Sequence, residues 1–335
     1  MIQFILRRLV FLILVVIVTT ILTFALEHAS GVDPARLMAG AHATPAHIAE
    51  LRRQFGLDRP LPVQYVLYLN GLVHGDFGQS LHTQRTIGLD LQQYLPATIE
   101  LVVVAMVIAI VGGVSLGTLG AVFRNGPIDA AARLVSLSGL TVPVFWLSLL
   151  CQWLFYDVLG WLPSGGQLDI GVTGPPTVTG FVLIDSLLSG RLDLFANACW
   201  HLLLPALVLS FPVLASITRM MRSSLIEVLR LDYVRTARSK GLPRRIVVVR
   251  HAMRNAMLST LTTIGLQFGA LLGGTILVEI VFAWPGIGLY LEQSIVAADY
   301  NPVLAVTVVI AAFYVLTNLF VDLSYVVADP RIRAR

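Results

Sequence analysis

The sequence predicts an all-α polytopic membrane protein with six transmembrane helices and both termini in the cytoplasm. Composition is the first observation behind this prediction, because hydrophobic residues make up 56% of the 335 residues and charged residues 13%. A soluble domain is about half apolar and a quarter charged, so this chain is typical of one polytopic membrane unit rather than of two soluble domains. The other two observations are the spacing of its long apolar segments and the distribution of its arginines.

Six apolar segments reach the roughly 20 residues that a transmembrane helix needs. They cover about residues 9–27, 98–122, 134–157, 201–219, 258–282 and 302–327. The first segment is too long for the apolar core of a signal peptide and lacks a clear cleavage site, so we expect it to be retained. Pro205 and Pro212 interrupt the fourth segment, where we expect a kink.

The arginines concentrate on one side of the membrane if there are six spans. That side carries Arg7, Arg8, Arg124, Arg133, the ten cations between Arg219 and Arg254, and Arg331, Arg333 and Arg335. The long first loop also holds arginines, but a loop of that length translocates largely regardless of its charge. The positive-inside rule therefore places both termini in the cytoplasm. Because the cations cluster beside apolar segments, the net charge of +4 is not a nucleic-acid signal.

The first outer loop, about residues 28–96, is expected to form a small helical cap over the pore mouth. Thr44 can cap a helix that has Pro45 at its first position, and Gly56 can end that helix. A second amphipathic stretch opens at Leu61, and the run from Gly75 is typical of a turn. The alternative is that the loop is only a spacer.

This pattern divides the chain into three parts. An N-terminal transmembrane helix occupies residues 1–27 and the outer loop, or cap, residues 28–96. A transmembrane domain occupies residues 97–335 and contains a cytoplasmic segment, residues 220–256, that we call the docking loop.

Nucleotide, metal and hydrolase motifs are absent or unsupported in the sequence. The single lysine, Lys240, is preceded by Ser239 and followed by Gly241, which rules out a Gly-Lys-Ser/Thr phosphate-binding loop on this chain. The histidines are scattered, and two cysteines indicate neither a disulfide framework nor a thiolate metal site. Ser115 lies in a Gly-x-Ser-x-Gly match, but inside an apolar helix, where glycines at this spacing indicate helix packing rather than an intramembrane protease.

Three acidic residues lie inside the apolar segments and are candidates for a polar pathway: Glu100, Glu279 and Asp322. All three are expected near a membrane interface, where structural pairing is the alternative. A stand-alone proton-coupled carrier would need ionisable residues at mid-membrane, so their position disfavours that class of protein.

The docking loop is the segment most indicative of function, since a membrane protein that holds one long cationic loop on one side is expected to bind a partner there. Asp232 is a plausible N-cap for a short helix, Tyr233–Lys240, and Gly241 suits the position after it. Pro243 can start a second helix, Arg244–Asn255, that returns to the membrane. Tyr233, Ala237 and Gly241 share one face of the short helix and are expected to face the partner. The alternative is that the arginines only set topology and bind anionic lipid.

At this point the chain resembles a known family. The docking loop looks like the cytoplasmic EAA loop of bacterial ABC-importer permeases, in which Glu-Ala-Ala is followed by a glycine. Arg235-Thr236-Ala237 takes the place of that tripeptide and Gly241 that of the glycine, a variant usual in the dipeptide/oligopeptide/nickel branch. Further matches to this branch are His251–Asn255, Phe4–Arg8, Gly56–Pro60, His74–Gly78, Pro96–Leu101, Trp284–Gly288 and Asp329–Arg333.

The resemblance implies a type I ABC importer permease fold in the bacterial inner membrane, with a small periplasmic helical cap, residues 28–96, after the first span. It implies a non-catalytic subunit that pairs with a homologous second permease and moves dipeptides or short peptides delivered by a periplasmic peptide-binding protein. Two ABC ATPase subunits would bind ATP and Mg²⁺, so no cofactor is expected on this chain, and lipid is the other expected partner. Nickel chelates, glutathione or modified dipeptides are alternative cargoes within the family.

The resemblance also assigns candidate sites. The ATPase-coupling residues would be Tyr233, Arg235, Thr236, Ala237, Arg238, Lys240, Gly241 and Leu242. Residues for binding-protein docking or an outer gate would be Trp284, Pro285, Gly286 and Asp185.

Overall fold

The structure is a computed structural model that describes residues 2–29, 34–39, 43–54, 56–80, 82–297 and 299–328. The described residues are helical, with turns and one isolated β-bridge between Gln79 and Thr86 but no strand. The chain divides into two compact units. The first consists of Met1–Leu95 with Tyr290–Leu316, and the second of Pro96–Leu289 with Thr317–Arg335.

The first unit contains the elements that surround the first long loop. Its helices are α1 (Ile2–Ala29), α2 (Pro34–Ala39), α3 (Pro45–Gln54), α4 (Leu61–Val73), the start of α5 (Ile87–Val122), most of α13 (Ile287–Val296) and the first part of α14 (Tyr300–Ala328). α4 packs on α1, where the hydroxyls of Thr20 and Tyr65 lie 2.9 Å apart. The predicted helices and turns of this loop are confirmed, but their role as a cap stays a prediction.

Local chemistry explains where α3 begins and ends. The amide of His47 donates to the Thr44 hydroxyl at 3.4 Å, which is the predicted N-cap. Gly56 has φ +66°, and the amide of Leu57 donates to the carbonyl of Arg52 at 2.8 Å, closing the helix in the manner predicted for a glycine end.

The second unit is a helical bundle centred on one long helix. Its helices are α5 from Pro96, α6 (Pro127–Thr141), α7 (Val144–Gln152), α8 (Val182–Leu188), α9 (Leu192–Val228), α10 (Asp232–Ser239), α11 (Arg244–Ile246) and α12 (Met253–Val281). α9 contacts α6, α7, α8 and α12. It runs without interruption through Pro205 and Pro212, and it is longer at both ends than the predicted segment 201–219.

The glycines of α5 serve helix packing, as their spacing predicted. A Cβ on Gly113 would lie 2.7 Å from the Ile217 side chain, and one on Gly117 would lie 2.8 Å from the Thr218 carbonyl. Both contacts are with α9, so this seam lies within the chain. Gly273 on α12 differs, because a Cβ there would meet nothing within 4 Å.

Four helical stretches among the described residues are long and apolar enough to cross a membrane: Ile87–Val122, Leu192–Val228, Arg244–Val281 and Tyr300–Thr317. A fifth arises if α6 and the segment Val144–Val158 count as one broken span, bent by 109°. The sequence predicted a single span over 134–157. It is divided because Pro143 forces Val142 into an extended conformation (φ −82°, ψ 121°) that ends α6. The six-span count stays a prediction.

Candidate functional site

The docking helix, α10, begins one residue earlier than the sequence suggested. Leu231 occupies the N-cap position in an extended conformation (φ −71°, ψ 150°), and Asp232 is already in the first turn. The prediction that Asp232 caps the helix is therefore wrong, and no side chain caps it. The Asp232 carboxylate instead lies near the positive end of the helix dipole, a favourable place for an anion, and contacts Arg235 at 3.5 Å.

One face of α10 is buried in the chain's own core. Val234 and Ala237 pack in a cluster formed by residues of α5, α9 and the segment leading into α12: Ala121, Met221, Leu225, Val247, Val248, Ala252 and Ala256. Ala237 is only 7% exposed, so the interpretation that it faces a partner is wrong. Its small side chain allows α10 to lie close to the bundle. This burial holds α10 rigidly on the ends of three long helices.

The other face of α10 is exposed and cationic. Arg235, Thr236, Arg238 and Lys240 are all exposed. Tyr233 is 39% exposed, yet its phenol oxygen accepts a hydrogen bond from the Asn255 amide at 2.7 Å, which ties α10 to the start of α12. This surface can offer hydrogen-bond donors and positive charge to a partner, while the opposite face of α10 stays packed on the core.

The end of α10 depends on glycine. Gly241 has φ +77°, and its amide donates to the carbonyl of Arg238 at 2.9 Å. A Cβ on Gly241 would meet nothing within 4 Å. Glycine is therefore favoured at this position by the left-handed backbone conformation and not by a lack of space. Pro243 follows in an extended conformation and precedes α11, as predicted. The stretch Arg244–Val281 then continues as one helical path, with a π-helical segment at Val247–Ala252.

The turn between α5 and α6, residues 123–126, follows Ala121, which lies in the same apolar cluster as Val234 and Ala237, and this turn was not singled out from the sequence. Asp129 in the first turn of α6 is fully buried, and its carboxylate accepts hydrogen bonds from the Arg222 guanidinium and from the Asn125 amide. Arg244 donates to the carbonyl of Val122. Arg222 and Asp129 are 93 positions apart, and no local spacing could have paired them.

The Trp284–Gly286 turn is built around a buried acid. The Glu279 carboxylate accepts hydrogen bonds from the Thr98 hydroxyl at 2.6 Å and from the Gly288 amide at 2.6 Å. A Cβ on Gly286 would lie 2.4 Å from the Glu279 carboxyl carbon, so glycine is required by the close approach. Glu279 thus supplies an acceptor to the first amides of α13. Its enclosure favours the structural alternative over a place in an open pathway.

Trp284 is buried as well. Its ring is 1% exposed, and its indole N–H donates to the carbonyl of Ala97 at 2.9 Å. This burial contradicts a direct docking contact through the Trp284 ring. The other assignment of this turn, to an outer gate, stays a prediction.

Asp185 is 2% exposed and organises the loop before α8. Burial alone would raise the pKa of its carboxyl, but hydrogen bonds from the Thr179 hydroxyl and from the amides of Thr179, Val178 and Gly180 outweigh burial and lower that pKa. The carboxylate therefore shapes this loop from inside and is not free to contact a docking protein.

Glu100 and Asp322 complete the predicted acids. The Glu100 carboxylate is 7% exposed and accepts a hydrogen bond from the Leu183 amide at 2.9 Å, so it too connects elements of the second unit. Asp322 lies on α14, and its side chain is outside the described residues. A pathway role for these acids stays a prediction.

The loop before α8 has a second anchor that sequence reasoning missed. His201 on α9 is 4% exposed, and its Nε2 lies 3.1 Å from the Asp169 carboxylate, whose other oxygen accepts from Asn197. The neighbouring His201 ring lowers the pKa of the Asp169 carboxyl. Within the part of the chain that the structure describes, no group of three or more His, Cys, Asp or Glu side chains could hold a metal ion.

The described residues form a helical membrane protein that seats a cationic surface helix on its own core. The chain belongs to the family "Binding-protein-dependent transport system inner membrane component", whose profile matches residues 109–334. The family's N-terminal profile matches residues 1–102. The protein is therefore a non-catalytic component of the inner membrane that works in binding-protein-dependent transport.

Named relatives match over nearly the whole chain. One is the "Probable D,D-dipeptide transport system permease protein DdpB" of Escherichia coli K12, 45% identical, with 96% of this chain and 94% of the relative covered. A second is the "Dipeptide transport system permease protein DppB" of Alkalihalophilus pseudofirmus, 43% identical, with 99% and 100% covered. A third is the "Glutathione transport system permease protein GsiC" of Pectobacterium atrosepticum, 36% identical, with 99% of each chain covered.

Proposed function

We propose that this chain is the first of two homologous permease subunits in an ATP-driven importer of dipeptides or short peptides. An ABC ATPase subunit receives α10 in a surface groove, and its ATP-driven closure moves the helices on which α10 is seated. A periplasmic peptide-binding protein delivers cargo at the opposite face. ATP and Mg²⁺ bind to the ATPase subunits, and this chain carries no cofactor.

The geometry of α10 carries this proposal. Val234 and Ala237 fix the helix to the bundle, while Arg235, Arg238 and Lys240 on its other face remain exposed. A helix that served topology alone would not need a buried face of its own. Rigid attachment is what a transmitted movement requires, because a loosely held helix would move without displacing the spans.

The wider architecture follows from the same proposal. Six spans place both termini and the docking loop, 220–256, in the cytoplasm, with the N-terminal span over residues 1–27. The cap, residues 28–96, and the transmembrane domain, residues 97–335, then complete the chain. The turn Trp284–Gly286 and the loop held by Asp185 lie on the outer face, where they stabilise an outer gate from within.

Dipeptides are the proposed cargo because relatives named for dipeptide transport share 43% and 41% identity with nearly all of the chain. Glutathione is the second candidate, since a relative named for it matches 99% of the chain at 36% identity. The separate binding protein is expected to select between them.

The experiment that tests the proposal is purification of the tagged chain from its native membrane, followed by mass spectrometry and an ATPase assay. We expect a second permease and ATPase subunits to co-purify, and ATP hydrolysis to rise when a dipeptide-loaded binding protein is added. A chain that emerges alone would contradict the proposal and favour a stand-alone proton-coupled carrier. Stimulation by glutathione-loaded but not by dipeptide-loaded binding protein would change only the cargo.

A further inference from the structure

Two arginines, one before and one after α10 in the sequence, contact residues that flank the α5–α6 turn. Arg222 lies near the end of α9, before α10 in the chain, and Arg244 begins α11, after it. Both reach residues that frame the α5–α6 turn, 123–126. The docking helix thus has, before and after it in the sequence, one arginine that contacts the ends of α5 and α6. Neither of these helix ends carries a candidate docking residue.

The Arg222 contact is a buried ion pair. The Asp129 side chain is 0% exposed, and the Arg222 side chain is 22% exposed. The second carboxylate oxygen of Asp129 accepts from the Asn125 amide at 3.0 Å, and Asn125 itself has φ +64°. Arg133 also lies 3.6 Å from this carboxylate, but it belongs to α6 itself, so Arg222 is the cation that joins Asp129 to α9. A buried carboxylate that loses a hydrogen-bonded cation is strongly destabilised. The shape of the α5–α6 turn is thus fixed to α9 through Arg222.

The Arg244 contact fixes the same turn from the other side of α10. Its guanidinium donates to the carbonyl of Val122, the last residue of α5, and its central carbon lies 5.5 Å from the centroid of the Phe123 ring. The last carbonyls of a helix lack partners within the helix, and a cation is favoured at that end. The aromatic ring adds a cation–π contact.

We propose that Arg222 and Arg244 are positioning residues that make the α5–α6 turn move together with α10. This inference rests on the proposed function, because it assumes that an ATPase displaces α10. Displacement of α10 then acts on α5 and α6 through the two arginines, in addition to acting on α9 and α12 to which the helix is directly joined. Loss of either arginine separates ATP hydrolysis from transport without removing the docking surface.

Arg245 provides a matched control for Arg244. It is the next residue in the chain, carries the same charge and is also exposed. Among the described residues its side chain makes no hydrogen bond or ion pair. Substitution of either arginine by glutamine removes one positive charge from the same short stretch, and only the Arg244 substitution removes the contact with the α5–α6 turn.

The test compares R244Q and R245Q in the complete transporter, reconstituted in liposomes with its binding protein. Three quantities are measured: co-purifying ATPase subunits, ATP hydrolysis, and cargo taken up per ATP hydrolysed. For R244Q we expect unchanged co-purification and a fall in uptake per ATP of about two- to thirtyfold, the range that residues coupling two sites commonly show. For R245Q we expect all three quantities to match the wild type.

Two further variants separate positioning from general stability. F123L removes the ring contact, which R244Q removes together with the hydrogen bond to Val122. The double variant should therefore fall no further than R244Q alone, and effects that multiply would overturn the inference. R222Q removes the cation beside Asp129, whereas R222K keeps a positive charge there. Uptake per ATP should therefore be higher in R222K than in R222Q.

Three results would each overturn the positioning role. They are wild-type uptake per ATP in R244Q, a fall in uptake per ATP in R245Q equal to that in R244Q, and loss of ATPase co-purification in R244Q. The wild-type complex distinguishes these results from a failure of the proposed function, which would appear as no ATPase bound to the wild type at all.

Discussion

Substitution of Gly241 tests the docking helix most directly. Its φ of +77° lies in the left-handed region, and a Cβ there would meet nothing within 4 Å. G241A therefore introduces conformational strain without a clash, at a cost of about 1–2 kcal/mol for a residue other than glycine. Because each 1.4 kcal/mol is about tenfold in an equilibrium constant, the ATPase subunit should bind the complex about 5- to 30-fold more weakly if α10 must keep this end.

G241P should have a larger effect than G241A. Proline holds φ near −65° and has no N–H, so it cannot adopt the observed conformation, and it loses the hydrogen bond to the Arg238 carbonyl. We expect membrane insertion to persist and ATP-coupled uptake to disappear. The assay is titration of purified ATPase subunit onto the permease pair in nanodiscs, followed by uptake in proteoliposomes.

Gly190 is the matched control for this prediction. It follows α8, has φ +69°, and also leaves open space for a Cβ. G190A should carry similar backbone strain yet leave ATPase binding unchanged, because Gly190 precedes the start of the 37-residue α9 and α10 follows the other end of that helix. Wild-type ATPase affinity in both G241A and G241P, or an equal loss in G190A, would refute the reasoning.

Three other predictions concern the packing and charge of the second unit. A237L overfills the core beneath α10 and should destabilise the purified complex by about 1–3 kcal/mol. T236L, on the exposed face, should not destabilise it. Equal melting temperatures of the two variants in scanning fluorimetry would contradict this prediction. G286A places a Cβ 2.4 Å from a buried carboxyl carbon and should lower the melting temperature, while G273A, which meets nothing within 4 Å, should leave it unchanged or raise it. The Asp185 carboxyl has a folded pKa below its unfolded value of about 3.9, so its stabilisation is present above that value and is lost as the pH falls through the folded pKa. Its loop should resist proteolysis equally at pH 7 and pH 5, and D185N should be cleaved at both; cleavage of the wild type that begins between these values would contradict the assignment.

The features of the fold that depend on residues adjacent in the sequence could be predicted from the sequence. Gly241 and Pro243 mark the end of α10 and the start of the next helix because backbone preference is local, and the Thr44 cap of α3 follows the same logic. The division of the third apolar segment at Pro143 was missed, since hydropathy alone does not report the direction of a helix.

Burial and long-range pairing could not be predicted in this way. Trp284 lies in a conspicuous turn and invited a docking role, but the sequence does not reveal that its indole reaches Ala97 across 187 positions. Ala237 has a side chain that suits either a partner's surface or the chain's own core, and only packing decides between them. The Asp129–Arg222 pair has no spacing signal at all.

The enclosure of Glu279 has a consequence for sequence variation. The carboxylate, the two glycines at 286 and 288 and the Thr98 hydroxyl form one interdependent set, because the acid fills the space that each missing Cβ leaves. In a library that randomises positions 279, 286 and 288 together, we expect surviving clones to keep both glycines whenever an acid is kept at 279. Clones that replace Gly286 should also carry a smaller residue at 279. Gly288 should be kept in either case, because a Cβ there would also lie 2.6 Å from the Ile276 Cα.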